Sequence, residues 1–291
     1  MSFESSRALA AHVVARVRTM RRRYRKQLAR CQQRFSEKSV HELRVETRRM
    51  LALVDLLRAL EAGASLKKIR KLFKQRLDSF DQLRDTHVQL LLLKPLWRDF
   101  PEARSFDLWL RRREKRLTGD LRHRIKTTKQ LRVEQCLKEV QKQLRKSARA
   151  EKSPLGKARA AAALSHAFAR VLKLRQRVRW SNAETIHRMR VAFKRFRFMS
   201  ELLRPLFPGL TTGRLRQMQA YQRLMGKVQD MEVLLAGLRQ AVAKAHLPAD
   251  AARGLHKELM RRRRGLIGTF RASVDKLFEF QPEQLTHQAR D

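Results

Sequence analysis

The sequence predicts an all-α protein made of two helical bundles related by internal duplication and pseudo-twofold symmetry. Three observations carry that expectation. Gly (10) and Pro (7) are few in 291 residues, so they punctuate the chain rather than permeate it. The stretches between them are rich in Ala, Leu, Arg, Lys, Gln and Glu, with apolar residues three and four apart and no sustained period-two alternation. The chain also matches itself: HELRVETRRMLALVDLLRAL from His41 aligns with HRMRVAFKRFRFMSELLRPL from His187 at an offset of 146.

In chain order, an opening helix carries His12, Ala15, Arg16 and Val17, echoed by His166, Ala169, Arg170 and Val171. The next helix begins near Ser39, where Ser39 and Glu42 have capping-box spacing, with Thr185 in the matching place before His187. Ile69, Leu72, Phe73, Leu77 and Phe80 form a further apolar stripe, and Leu110, Leu117 and Leu121 another. FDQLRDTHVQLLLL around Asp85 matches MGKVQDMEVLLAGL around Asp230, and LRRREKRLTGDLR from Leu110 matches LMRRRRGLIGTFR from Leu259. The polar segment KSARAEKSPLGK, Lys146 to Lys157, reads as the mid-chain connection. The expected organisation is one domain over 5–285, made of an N-terminal repeat over 5–145 and a C-terminal repeat over 158–285, with roughly eight to twelve helices in all.

Charge dominates the functional reading. Lys and Arg number 69 against 27 Asp and Glu, a formal net charge of +42. Such an excess favours polyanionic partners: nucleic acid, inorganic polyphosphate or an anionic membrane surface. With 43% hydrophobic residues the chain is no disordered basic tail. No run of apolar residues is long enough to span a bilayer, so no membrane insertion is expected. The first residues, MSFESSRALAAHVV, place an acid ahead of any base and lack an apolar region before a cleavage site. No signal peptide is therefore expected, and the predicted compartment is the cytoplasm. Cys31 and Cys136 make neither a disulfide framework nor a zinc site.

At about 100° per residue, His41, Arg44 and Arg48 share one side of their helix, with Arg49 toward its edge. Leu43, Met50, Val54 and Leu57 lie opposite. The second copy repeats this, with His187, Arg190, Lys194 and Arg197 on one face, Arg195 at its edge, and Met189, Phe196 and Leu203 behind. A histidine in a first helical turn, followed by arginines able to grip oxygens in pairs, suits phosphate. Arg113 and Arg262, beside the apolar stripes of their helices, read as inward-facing and join the candidate set. Arg76 is placed to pair with Asp85. Asp85 and Asp230 read as caps or as partners of buried arginines, and otherwise as an acid–base pair.

No phosphate-binding glycine loop, H-E-x-x-H metal motif or RNP-type strand motif is present, and no cofactor or metal site is expected. The words VHELRVETRR and IHRMRVAFKRFR, each followed about forty residues later by LRDTHV or VQDMEV, resemble the two halves of the CHAD family, the conserved-histidine α-helical domain. The resemblance covers about residues 5 to 280. It implies paired helical bundles with a basic groove or pore and binding of inorganic polyphosphate, family members being linked with polyphosphate granules; with no metal-carboxylate cluster in the sequence, the expected role is non-enzymatic binding. A triphosphate-tunnel (CYTH) phosphatase is a frequent companion of such proteins. Carried over by position, the anion ligands are His41, Arg44, Arg48 and Arg49 with His187, Arg190, Lys194, Arg195 and Arg197. The alternatives are a nucleic-acid-binding protein, which the charge suits equally, and an enzyme acting on polyphosphate through the histidines with Asp85 or Asp230.

Overall fold

The computed structural model describes residues 3–60, 64–125 and 156–283, with 133, 135, 137–142, 145 and 146 between them. Cys136 and most of the connection 146–157 lie outside the described residues. The α-helices, in order, are α1 (Phe3–Gln33), α2 (Glu37–Leu60), α3 (Ala64–Ser79), α4 (Asp81–Leu93), α5 (Glu102–Ile125), α6 (Lys157–Arg175), α7 (Ala183–Leu203), α8 (Thr212–Ala243) and α9 (Ala252–Ala272). Short 3-10 turns follow α4, α7 and α9. The protein is all-α, and the single β-bridge among the described residues joins Arg179 to Asn182.

Helix starts differ from the expected ones. Ser36, not Ser39, opens α2, its Oγ accepting from the Ser39 amide at 3.2 Å. Asn182, not Thr185, caps α7, its Oδ1 accepting from the Glu184 amide at 3.1 Å. In both helices an acid, Glu37 or Glu184, then sits in the first turn, where the helix dipole favours it. The caps therefore sit three residues earlier than the sequence pattern suggested. His41 and His187 move into the second turn, past the amides that a helix start leaves free.

Burial follows the predicted stripes. Leu43, Met50, Val54 and Leu57 of α2 and Met189, Phe196 and Leu203 of α7 are buried. They join a large core that also takes Val17, Tyr24 and Leu28 of α1, Phe73 of α3 and Phe168 of α6. A second core joins the ends of α4 and α8 with α5 and α9, through Leu93, Phe106, Leu110, Leu234, Leu238, Leu255 and Leu259. Each core draws on both halves of the chain, so the segments 5–145 and 158–285 interlock. Burying a leucine is worth about 1.5–3 kcal/mol, enough over these faces to hold together helices that carry strong like charge.

Two details of the α3–α4 region position the site. The chain breaks its helix at Phe80 (φ −100°, ψ 0°), whereas the corresponding stretch of α8 runs unbroken for 32 residues. Where α4 crosses α8, Gly237 lets the helices approach: a Cβ there would collide with the Gln89 amide, which donates to the Val233 carbonyl at 2.7 Å.

Candidate anion-binding site

α2 and α7 pack side by side and rest on α4 and α8. Their basic faces converge. Arg44, buried, donates to Asp81 Oδ1 at 2.6 Å and to the Leu77 carbonyl at 2.7 Å. That carbonyl lies at the α3–α4 break, where it also accepts from the Phe80 amide at 3.2 Å. Arg48, Arg190 and Lys194 are half-buried and form no ion pair with a carboxylate among the described residues. The Nε atoms of Arg44 and Arg190 are buried without hydrogen-bond partners.

These cations feel one another. Burial first, then Arg44 and Arg190, pushes the Arg48 guanidinium down to about 9, against the pull of Asp81. Lys194 is held well below the usual lysine value by burial and then by Arg48, Arg190, Arg197 and Arg44. Arg190 is lowered by burial, with Asp230 and Asp85 pulling up and Arg44 pushing down. The carboxylates are perturbed in the opposite sense. Burial, then Asp81, raises Asp85 to about 6, with Arg44 and Arg113 opposing and Asp230 adding to the rise. Asp230 is raised by burial against Arg190, Arg84 and Lys194. Arg44, Arg48, Arg84, Arg113, Arg190 and Lys194 thus surround Asp81, Asp85 and Asp230, with cations in excess. Low-dielectric surroundings magnify that imbalance, and a bound anion relieves it.

A pH dependence follows. Asp85 ionises in the folded protein near pH 6, above its unfolded value of 3.8, so its charged form is the disfavoured one. An anion beside it raises its pKa further, so binding takes up protons. Affinity for a phosphate polyanion should rise as pH falls from about 7.5 to about 5.5, and Asp85→Asn should flatten that rise. Calorimetry in buffers of different ionisation enthalpy measures the proton uptake. Equal uptake in wild type and variant would refute the assignment.

The remaining predicted ligands divide. His41, partly open to solvent, lies in the field of Arg84, Lys194 and Arg48; its partial burial, then Arg84, lowers its pKa, with Glu37 opposing. His187 donates from Nδ1 to Gln229 Oε1 at 2.7 Å, leaving Nε2 for another partner. Arg113 borders the site near Asp85, donating to Gln240 Oε1 at 2.9 Å and lying over the Trp109 ring. Arg49 and Arg195 are committed to protein instead. Arg49 pairs with Glu46 at 2.6 Å and reaches Glu201 at 3.8 Å, while Arg195 pairs with Asp55 at 2.9 Å. Each of these arginines reaches a carboxylate on the opposite helix, so together they clasp α2 to α7. Arg197 is buried on Gln222 at 2.9 Å, on Glu201 and over the Phe198 ring. Arg262 is exposed and bonded to Glu258 at 2.6 Å, one turn earlier on its own helix, instead of facing inward. Arg76 lies near Cys31, and the cations near Asp85 include Arg44, Arg113 and Arg190.

Sequence reasoning passed over Arg84 and Asp81. Arg84 bonds Glu37 and stands among the site cations. Its position next to Asp85 in LRDTHV, opposite Gln229 in VQDMEV, was the available signal. In the aligned stretches from Leu110 and Leu259, Arg263 stands opposite Glu114. Glu232 pairs with Arg263 between α8 and α9, and His87 lies 3.0 Å from Glu114 between α4 and α5. The aligned positions thus meet in both halves, with the acidic and basic residue types exchanged.

The family model for the CHAD domain matches residues 15–239. The chain belongs to the CHAD domain family. The crystal structure of the CHAD domain from the plant Ricinus communis superposes with a TM-score of 0.73 at 16% identity, covering 92% of this chain and 91% of that one. At that identity the likeness speaks for the fold. A search of curated proteins gives no match. In this CHAD domain no helix among the described residues is long and apolar enough to cross a membrane. No cluster of His, Cys, Asp and Glu that could hold a metal ion is found among the described residues.

Proposed function

We propose that this CHAD domain binds inorganic polyphosphate, non-enzymatically, in the basic site between α2 and α7. The observation that carries the reading is the convergence of Arg48, Arg190 and Lys194, half-buried and without a carboxylate ion pair among the described residues. Cations held this way repel one another and have lost water. A ligand of closely spaced phosphates restores both losses through charge-assisted hydrogen bonds. A bare phosphate chain has no sugar or base to accommodate between packed helices, which favours it over nucleic acid. Asp81, Asp85 and Asp230 are faced by arginine and serve charge balance, in keeping with a binding module. The proposed setting is the cytoplasm, at polyphosphate granules.

Competition between polyphosphate and DNA or RNA, at matched phosphate and salt, tests the choice of ligand. Polyphosphate is expected to displace either nucleic acid; displacement in the reverse direction would overturn the proposal. Salt provides a second test. If about four phosphates are neutralised, affinity should fall about a hundredfold between about 50 and about 200 mM salt. A flat titration would contradict an electrostatic site.

A further inference from the structure

Beyond the central site, α2 carries a second convergence of guanidinium groups. Asp55 is a buried carboxylate two turns beyond Arg48 on the same side of the helix. Arg70 of α3 donates to its Oδ1 at 2.8 Å, Arg195 of α7 approaches its Oδ2 at 2.9 Å, and Arg58 stands 4.0 Å away. Arg170 of α6, exposed, joins Arg70 and Arg58 in depressing the Arg195 guanidinium, after the effect of burial itself. Three arginines from three helices thus share one carboxylate, and Arg170 stands close enough to Arg195 to act on it. Arg58, Arg70 and Arg195 each keep more than a third of their side-chain surface open (40%, 39% and 38%). They can take a ligand from solvent without unfolding anything. The counterpart carboxylate, Glu201, serves only Arg197 and Arg49 among the described residues.

We infer that this cluster is a second phosphate subsite, reached by long polyphosphate chains that already occupy the central site. The inference rests on the polyphosphate reading above. Asp55 lies about 10 Å along α2 from Arg48 by helix rise, a separation that a chain of tens of phosphates spans and tripolyphosphate does not. A chain held at one site presents its next segment to the other at high effective concentration. The protein therefore discriminates by chain length.

The test compares tripolyphosphate with polyphosphate of tens of units, binding to the full chain at fixed salt. The variants are Arg58→Ala/Arg170→Ala, Arg48→Ala/Lys194→Ala and the distant pair Arg22→Ala/Arg23→Ala. Arg58 and Arg170 are chosen because Asp55 keeps Arg70 and Arg195 in their absence, and melting curves check each fold. Arg58→Ala/Arg170→Ala should lower long-chain affinity about tenfold while changing tripolyphosphate affinity less than about twofold. The distant pair should lower both by the same small factor. If Arg58→Ala/Arg170→Ala matches the distant pair, or weakens both ligands equally, there is no second subsite. If Arg48→Ala/Lys194→Ala leaves tripolyphosphate binding intact, the central-site reading fails instead.

Discussion

Replacing Arg48 and Lys194 together with alanine should weaken polyphosphate binding by about a hundredfold or more, while the ligand-free protein becomes no less stable. The first half follows from the loss of two charge-assisted hydrogen bonds, each worth about 1.5–3 kcal/mol. The second half follows from the depressed pKa values of both groups. A cation whose folded pKa lies below its unfolded value is charged at a cost in the folded state. That cost is present at neutral pH and is relieved as pH rises through the folded pKa. Removing the groups removes the cost. Arg22→Ala with Arg23→Ala, an equal loss of charge on the exposed side of α1, should weaken binding less than about tenfold. Equal weakening by the two pairs, with both variants folded, would make net charge the whole explanation. Arg44→Ala is a poorer probe, because Arg44 also holds Asp81 and the Leu77 carbonyl.

Asp55→Asn should be the most damaging single change at the α2–α7 interface. It leaves Arg58, Arg70 and Arg195 crowded around a neutral amide. Breaking a buried ion pair from one side costs about 3–5 kcal/mol; the partly open arginines moderate this, so about 3 kcal/mol is expected. The melting temperature should then fall by about 6–12 °C. Added long-chain polyphosphate should restore most of the loss, since a ligand that binds only the folded state stabilises it by mass action. An unchanged melting temperature would show that the carboxylate does not hold the interface.

The fold and the heart of the site were legible in the sequence because both rest on periodicity. Apolar residues three and four apart placed Leu43, Met50 and Phe196 inward, and the same angles placed Arg44 with Arg48, and Arg190 with Lys194. Edge positions were not legible. Arg49 and Arg195 lie at the margin of the basic face, where a long side chain reaches either the groove or a neighbouring helix. Which it reaches depends on Glu201 and Asp55, two turns away on another element. Arg262 followed its own Glu258, a local pairing that helical spacing permits. The helix starts were misread because Ser39 with Glu42 imitates a cap, while Ser36 and Asn182 take the role earlier. Arg84 did not stand out as a ligand because the aligned position in the second half is Gln229.

The interruption at Phe80 makes the two basic faces of the candidate site unequal. By ending α3 there, the chain offers Arg44 a carbonyl and the Asp81 carboxylate. Arg190 faces uninterrupted α8, where Gly226 stands in the place of Asp81 and supplies no carboxylate. One arginine of the matched pair is spent on the protein and the other is available. Linear polyphosphate reads the same from either end. If polyphosphate is the ligand, as proposed, turning it end for end leaves every contact unchanged, so either end can enter first. The break in one helix thus leaves the two basic faces unequal in the protein contacts that their arginines make.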